Sequence, residues 1–205
     1  MKICGLTDPG EALACASFGA WAVGVVLSPG SPRTLAPADA AVVLRELPPS
    51  VARIGVFVAP AAAEVVAAAA ICGLTHIQLH GEADVGAVHR ATGLPVIEGI
   101  RVDGPASLGR ARASVADLVL LDAAVPGRHG GTGTAFDWGI LEREPLERPF
   151  ALAGGLTAES VGAAVTRLGP SVVDVSSGVE RAPGRKDPRL VKRFIAAAIA
   201  AARTP

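Results

Sequence analysis

The sequence has few aromatic residues, few cysteines and no excess charge of either sign. Among its 205 residues are five Phe, two Trp and no Tyr. The 19 basic and 19 acidic side chains cancel, and this argues against a nucleic-acid-binding protein, which needs a basic patch or stripe. The three cysteines form no Cys-x-x-Cys pair and no metal-like spacing with the four histidines, so we expect neither a zinc site nor a disulfide framework.

Long hydrophobic segments and targeting segments are also lacking. The stretch AAAEVVAAAAICGL (61–74) carries Glu64 and is too short to span a bilayer. No segment has the basic, apolar and small-residue order of a signal peptide. An odd number of cysteines without a secretion signal fits a reducing compartment. We therefore expect a cytoplasmic protein that binds no membrane and no nucleic acid.

What the chain does have is a regular alternation of short apolar runs and alanine-rich stretches. Half of its residues are hydrophobic, enough to bury a sizeable core. The apolar runs predict strands at 2–5, 22–27, 52–58, 76–80, 95–102, 117–122, 150–155 and 172–178. The stretches between them predict helices near 9–18, 37–47, 60–71, 84–92, 105–113, 137–144, 157–168 and 188–203.

This alternation predicts a parallel sheet, because parallel strands need a crossover of a dozen residues or more. Continuous apolar strands fit a sheet that is covered on both faces. Eight such units in one domain spanning residues 1–205 predict the α/β class and a single (β/α)8 TIM barrel. A flavodoxin-like open sheet is the alternative, but it uses fewer strands and leaves the last units unexplained.

Polar residues occur where the predicted strands end, and in barrels chemistry is built at these carboxyl ends. Cys4 ends the first strand, His80 the fourth and Asp122 the sixth, while Asp174 lies in the eighth and Arg33 follows the second. Four of these five residues have a structural alternative: Cys4 as a small buried thiol, His80 as a wall histidine, Asp122 as a helix cap and Arg33 as a solvated arginine. The long glycine-rich loop after Asp122 argues against a cap there.

Two glycine-containing segments follow the last two strands of the predicted barrel. LAGGL (152–156) and SSG (176–178) each lead towards a helix, where backbone N–H groups bind anions. Barrels frequently bind phosphate between loops seven and eight, so we predict a phosphate site at Gly154, Gly155, Ser177 and Gly178. A third segment, GRHGGTG (127–133), lacks the ending of a Walker loop and is predicted to be a mobile lid.

Taken together, these residues resemble the phosphoribosylanthranilate isomerase family over nearly the whole chain. The matching segments are KICGLT (2–7), SPGSPR (28–33), IGVFV (54–58), IQLHGE (77–82), LLDA (120–123), GGTGTAFDW (130–138), LAGGL (152–156), DVSSGVE (174–180) and GRKD (184–187). The resemblance implies an Amadori rearrangement of N-(5-phosphoribosyl)anthranilate in tryptophan biosynthesis. It also implies a small phosphorylated substrate, no metal or organic cofactor, and a monomer or homodimer.

The resemblance further implies a role for each site residue. Cys4 corresponds to the general base of the family and Asp122 to its general acid. Arg33 corresponds to the arginine that meets the anthranilate end, and His80 and Asp174 to polar residues that line the pocket. The four residues of loops seven and eight correspond to the phosphate site.

Two other functions remain as alternatives. A related isomerase of histidine biosynthesis, or an enzyme serving both pathways, typically has an aspartate at the end of strand one, where this chain has Cys4. A barrel without catalytic activity is expected to lose its acid or its base, and both are present here. Two segments depart from the family pattern: Val25 and Val26 stand where a phenylalanine-containing run is usual, and Ala59 stands where an asparagine is usual.

Overall fold

Eight parallel strands close into a barrel in chain order in the computed structural model, which describes residues 1–122 and 138–203. The strands are β1 (Lys2–Ile3), β2 (Ala22–Val26), β3 (Ala52–Val58), β4 (His76–His80), β5 (Val96–Arg101), β6 (Leu118–Asp122), β7 (Phe150–Ala153) and β8 (Val172–Val175). The helices are α1 (Pro9–Ser17), α2 (Pro37–Leu44), α3 (Ala62–Cys72), α4 (Val85–Thr92), α5 (Pro105–Ala113), α6 (Gly139–Arg143), α7 (Val161–Leu168) and α8 (Pro188–Ala202). The predicted (β/α)8 barrel is confirmed, and the open sheet is excluded.

The barrel closes where β1 pairs with β8. In this pairing Lys2 lies opposite Asp174, and Ile3 lies opposite Val175. The strand ends two residues earlier than predicted, but the amide of Cys4 still donates to the carbonyl of Val175 at 2.8 Å. Cys4 is therefore held by the last hydrogen bond of the seam, at the carboxyl end of β1.

The apolar core has two separate parts. The larger part lies between the sheet and the surrounding helices, where Ile3, Phe57 and Phe194 are almost fully buried. The smaller part fills the barrel interior with mostly small residues: Ala22, Ala52, Ile54, Ile97, Leu120, Ala151 and Ala153. Above it the interior becomes polar, since Lys2, Gln78 and Asp174 are buried there. Gln78 and Asp174 of this polar layer line the site described below.

Four of the eight helices begin at the predicted residue, at positions 9, 37, 105 and 188, and the other four begin one to four residues later. Asp8 caps α1 by accepting from the amide of Glu11 at 3.0 Å, and Pro37 occupies the first turn of α2. Pro60 instead precedes the cap of α3, which is Ala61. The helix predicted from residue 157 begins at Val161, because the amide of Thr157 donates to Ser160 Oγ and closes a local turn first.

After β8 the chain forms elements that the sequence did not predict. A single 3₁₀ turn (Ser177–Val179) is followed by a two-stranded hairpin of β9 (Glu180–Ala182) and β10 (Arg185–Lys186). The glycine-rich segment predicted to be a lid falls within 123–137, outside the described residues. None of the helices in the described part of the chain is long and apolar enough to cross a membrane.

Ala59, directly after β3, has a backbone conformation that alanine rarely adopts. Its φ is +45°, and its amide donates to the carbonyl of His80 at 2.8 Å. The left-handed region costs a residue with a Cβ about 1–2 kcal/mol, and glycine and asparagine reach it most readily. An asparagine at this position would suit the geometry better than alanine does.

Replacing Ala59→Gly should therefore raise the free energy of unfolding by about 0.5–1 kcal/mol, because relief of the strain exceeds the added entropy of the unfolded chain. Urea unfolding followed by circular dichroism measures the difference. The matched control is Ala67→Gly, at an exposed position inside α3, which should lower stability by about 1 kcal/mol. A loss of stability in both variants would show that Ala59 is unstrained.

Candidate active site

One cavity at the carboxyl ends of the strands collects most of the predicted site residues. It encloses about 270 Å³. Eight of the nine predicted site residues line it: Cys4, His80, Asp122, Asp174, Gly154, Gly155, Ser177 and Gly178. Gln78, Val56 and Leu120 contribute its floor. Side chains from β1, β4, β6 and β8 thus meet loops seven and eight around a single space.

The Cys4 thiol lies on one side of this cavity, above a glycine of the neighbouring strand. Cys4 is 8% exposed. A Cβ built on Gly24 of β2 would come within 3.0 Å of the Cys4 sulfur and 3.2 Å of Lys2 Cε. Because Gly24 has no side chain, the thiol and the lysine can both pack over it.

Lys2 and Asp174 form a buried ion pair below the thiol. Lys2 Nζ donates to Asp174 Oδ1 at 2.9 Å, and the two side chains are 1% and 9% exposed. Burial alone lowers the pKa of Lys2, but Asp174 and Cys4 outweigh it, and the pKa lies above its ordinary value. Lys2 is therefore a charged ammonium group inside the barrel.

His80 lies across the cavity, close to Asp122. The Gln78 amide nitrogen donates to His80 Nε2 at 2.7 Å, which leaves the proton of a neutral ring on Nδ1. Burial lowers the pKa of His80, although Asp122 and Asp174 oppose the shift. Gln78 Oε1 is buried, and no group in residues 1–122 or 138–203 donates to it.

Loops seven and eight approach each other so closely that one position has to be glycine. A Cβ on Gly178 would overlap the carbonyl oxygen of Leu156. On the other loop Gly154 and Gly155 have φ of +95° and +67°, values that suit glycine. Only loop eight runs straight into a helical turn, since α7 begins several residues after Gly155. Loop backbone groups, rather than the start of α7, therefore face the cavity on that side.

Arg33, the ninth predicted residue, lies beside the cavity and is bound to a carboxylate. Its Nε donates to Glu180 Oε1 at 2.8 Å and its NH2 to Oε2 at 2.5 Å. Lys186 Nζ donates to the same Oε1 at 2.7 Å and to the Ser176 carbonyl at 3.1 Å. Burial alone raises the pKa of Glu180, but the two cations outweigh it and hold the pKa below its usual value.

The other two thiols, Cys15 and Cys72, do not line this cavity. Burial raises the pKa of Cys15 to about 12 and also raises the pKa of Cys72. The Cys72 thiol donates to the Pro37 carbonyl at 3.2 Å. Within residues 1–122 and 138–203, no group of three or more His, Cys, Asp or Glu side chains could hold a metal ion.

Four polar residues of the site were absent from the predicted set: Lys2, Gln78, Glu180 and Lys186. Lys2 and Gln78 carried a usable signal, since each is a polar residue inside an otherwise apolar strand. Glu180 and Lys186 come together through the β9–β10 hairpin, whose pairing cannot be inferred from their spacing. Their meeting point could be found only from the structure.

The fold and the site define a barrel enzyme whose catalytic face joins a thiol, a carboxyl group and two glycine-bearing loops. A model of the family described as "N-(5'phosphoribosyl)anthranilate (PRA) isomerase" matches residues 1–197. The chain belongs to this family, and it is an isomerase.

Similar proteins agree over the whole length. The N-(5'-phosphoribosyl)anthranilate isomerase of Magnetococcus marinus is 44% identical over 197 residues, which cover 96% of this chain and 93% of that protein. The crystal structure of phosphoribosyl anthranilate isomerase from Thermotoga maritima is 37% identical with a TM-score of 0.88, covering 97% of this chain and 98% of that one. A second crystal structure, of the isomerase in complex with reduced 1-(o-carboxyphenylamino)-1-deoxyribulose 5-phosphate, is 36% identical with a TM-score of 0.83 and covers 97% of both chains.

Replacing Glu180→Gln should destabilise the protein by about 3 kcal/mol at neutral pH, because it leaves buried cations without their carboxylate. Since the pKa of Glu180 is lowered on folding, its contribution is fully present above the ordinary carboxyl value of 4.5. It is lost as the pH falls through the lower folded-state pKa. Urea unfolding across the pH range should therefore show a stability gap between wild type and variant that is constant near neutrality and shrinks in acid.

The matched control is Glu159→Gln. Glu159 accepts from Arg193 at 2.8 Å, but the two side chains are 66% and 63% exposed. An exposed pair contributes little, so we expect the stability of this variant to be close to that of wild type. Equal losses in the two variants, or a gap for Glu180→Gln that is the same at all pH values, would contradict the proposed ion-pair cluster.

Proposed function

We propose that this protein converts N-(5-phosphoribosyl)anthranilate to 1-(2-carboxyphenylamino)-1-deoxyribulose 5-phosphate, a step of tryptophan biosynthesis, with Cys4 as general base and Asp122 as general acid. The single observation that carries the proposal is the shared cavity. A thiol and a carboxyl group face the same space as the glycine-bearing loops, so one phosphorylated sugar can meet all of them.

The reaction needs an acid first. Protonated Asp122 donates its proton to the furanose ring oxygen, the bond from that oxygen to C1 breaks, and the nitrogen lone pair forms a protonated imine. A nearby neutral His80 adds no positive charge that would favour loss of this proton. This step opens the sugar and leaves Asp122 as a carboxylate.

The base acts next. The Cys4 thiolate takes the proton from C2, and the electron pair of that C–H bond moves towards the imine and gives an enolamine. The enolamine tautomerises to the ketone as its C2 hydroxyl loses a proton and C1 gains one. A proton that passes from the Cys4 thiol to the Asp122 carboxylate restores both groups, so no net proton is gained or lost over the whole reaction. The position of Cys4 at the cavity wall, on a backbone held by Val175, supports this role.

The phosphate end of the substrate fits loops seven and eight. Gly154, Gly155, Ser177 and Gly178 all line the cavity, and their small side chains leave backbone N–H groups open to an anion. The complex of the 36%-identical isomerase with a ligand named as a 5-phosphate supports a phosphorylated ligand here. Gln78 Oε1, which has no donor in the described part of the chain, and the Asp174 carboxylate are placed to accept hydrogen bonds from sugar hydroxyls. For Gln78 such a bond would remove the unfavourable burial of an unpaired acceptor.

Replacing Cys4→Ser or Asp122→Asn should each lower kcat by about 10²- to 10⁴-fold, because each removes one proton-transfer group. A coupled assay that follows the loss of phosphoribosylanthranilate fluorescence measures kcat, and circular dichroism shows whether each variant is folded. Cys72→Ser is the matched control: its hydroxyl can still donate to Pro37, so full activity is expected. Full activity in Cys4→Ser or Asp122→Asn would remove the mechanism, and comparable turnover of the histidine-pathway aminoaldose would overturn the substrate.

Replacing Gly178→Ala should raise KM about ten-fold with a smaller effect on kcat, because the new Cβ forces loop eight away from Leu156 and weakens phosphate binding uniformly. Competitive inhibition by inorganic phosphate should weaken in parallel. Gly109→Ala, at an open position in α5, should leave both constants unchanged. An unchanged KM and unchanged phosphate inhibition in Gly178→Ala would argue that phosphate binds elsewhere.

A further inference from the structure

The proposed mechanism requires a Cys4 thiolate and leaves unexplained what stabilises it. The mechanism also gives no role to Lys2, a charged side chain that is 1% exposed and lies inside the barrel. A lysine is almost never fully buried unless it is paired. Lys2 is paired with Asp174 at 2.9 Å, but its ammonium group has three donors. What else this ammonium group serves is therefore a question about the site.

The side chains of Lys2 and Cys4 are neighbours because of their spacing along the chain. They are two residues apart at the end of β1, so their side chains point to the same side of the sheet. Both pack over Gly24, since a Cβ there would be 3.2 Å from Lys2 Cε and 3.0 Å from the Cys4 sulfur. The Lys2 side chain therefore lies next to the Cys4 thiol inside the barrel.

Charged groups from several elements surround Cys4. Three cations act on it: Lys2 from β1, Arg33 from the loop after β2 and Lys186 from the β9–β10 hairpin. Asp174 of β8 pairs with Lys2, and Glu180 of the hairpin pairs with the other two. His80 and Asp122 line the same cavity, and the lowered pKa of His80 keeps its ring neutral. Nearby cations favour the charged form of a thiol.

Among the three cations Lys2 is the best placed to act on the thiol. Arg33 and Lys186 both donate to Glu180 of the hairpin. This carboxylate partly neutralises the effect of both cations on the thiol. Lys2 is held on the barrel side by one hydrogen bond to Asp174, and it is surrounded by protein rather than by water. A charge acts more strongly in such a medium than at the surface.

We propose that Lys2 is a positioning residue that stabilises Cys4 as the thiolate, and that Asp174 both fixes the Lys2 ammonium group and weakens its pull on the sulfur. The inference rests on the proposed role of Cys4 as the general base. It gives the Lys2–Asp174 pair two opposite effects on one thiol. Removing the lysine disfavours the thiolate, whereas removing the carboxylate favours it.

The test measures the thiol directly, in the free enzyme and without substrate. The rate of alkylation of Cys4 by iodoacetamide is followed as a function of pH, and peptide mass mapping separates Cys4 from Cys15 and Cys72. In Lys2→Met the rate profile should move to higher pH, and the rate at neutral pH should fall about ten-fold for each pH unit moved. In Asp174→Asn the profile should move to lower pH and the neutral rate should rise.

Two further variants keep the test decisive if Lys2→Met does not fold. The double variant Lys2→Met/Asp174→Asn removes both buried charges together, so no uncompensated ion remains in the barrel. Compared with Asp174→Asn alone, it differs only at Lys2 and should be alkylated about ten-fold more slowly at neutral pH. Lys192→Met, at an exposed position on α8, is the matched lysine control and should match wild type.

The outcomes separate this inference from the proposed function. Profiles that move in opposite directions for Lys2→Met and Asp174→Asn support the inference, whatever the activity of the variants. Profiles that do not move, or that move in the same direction, overturn it. If the profiles move as expected while Lys2→Met retains full kcat across the pH range, Lys2 controls the thiol but Cys4 is not the base, and the proposed mechanism fails instead.

Discussion

A buried ion pair crosses the line at which the barrel closes, and the site is arranged around it. Lys2 of β1 and Asp174 of β8 are paired in register and joined by a hydrogen bond of 2.9 Å. Two charges out of water are unfavourable unless they are paired and further hydrogen-bonded. The pair therefore requires polar neighbours, and these lie directly above it in the cavity. The pairing of β1 with β8, which closes the sheet, thus also makes the interior of the barrel polar near the carboxyl ends of the strands.

The difference between the two halves of the barrel interior follows from this constraint. Below the ion pair the interior is filled by small and branched apolar residues such as Ala52 and Ile54, a packing that leaves no room for a ligand. At and above the level of the pair, Gly24 and Gly99 have no side chains, and Lys2, Cys4 and the ring of His80 take up the space beside them. Missing side chains on two strands therefore create room for the reactive groups of their neighbours.

The strand-borne half of the site could be predicted from the sequence, and the hairpin-borne half could not. Cys4, His80 and Asp122 interrupt or end apolar strands, so parallel topology alone brings them to one edge. Gly178 needs glycine because of its approach to Leu156, a contact between two loops that no local pattern encodes. The cluster of Arg33, Glu180 and Lys186 depends on a hairpin of five residues in its strands, too short to show a periodicity. Arg33 was accordingly predicted as a substrate residue without its carboxylate partner.

Because Arg33 is already bound to Glu180, its predicted role in substrate binding requires a change in this pairing. Arg33 reaches a substrate carboxylate only if its guanidinium group leaves Glu180 or shares itself between two acceptors. Glu180 would keep Lys186 at 2.7 Å in either case, so it would not become an isolated buried charge. A substrate carboxylate would in turn replace the lost contact with one of the same type, a planar acceptor that matches the guanidinium fork. The exchange is nearly balanced in charge and hydrogen bonds, so the pairing of Arg33 with Glu180 is compatible with the predicted role of Arg33 in substrate binding.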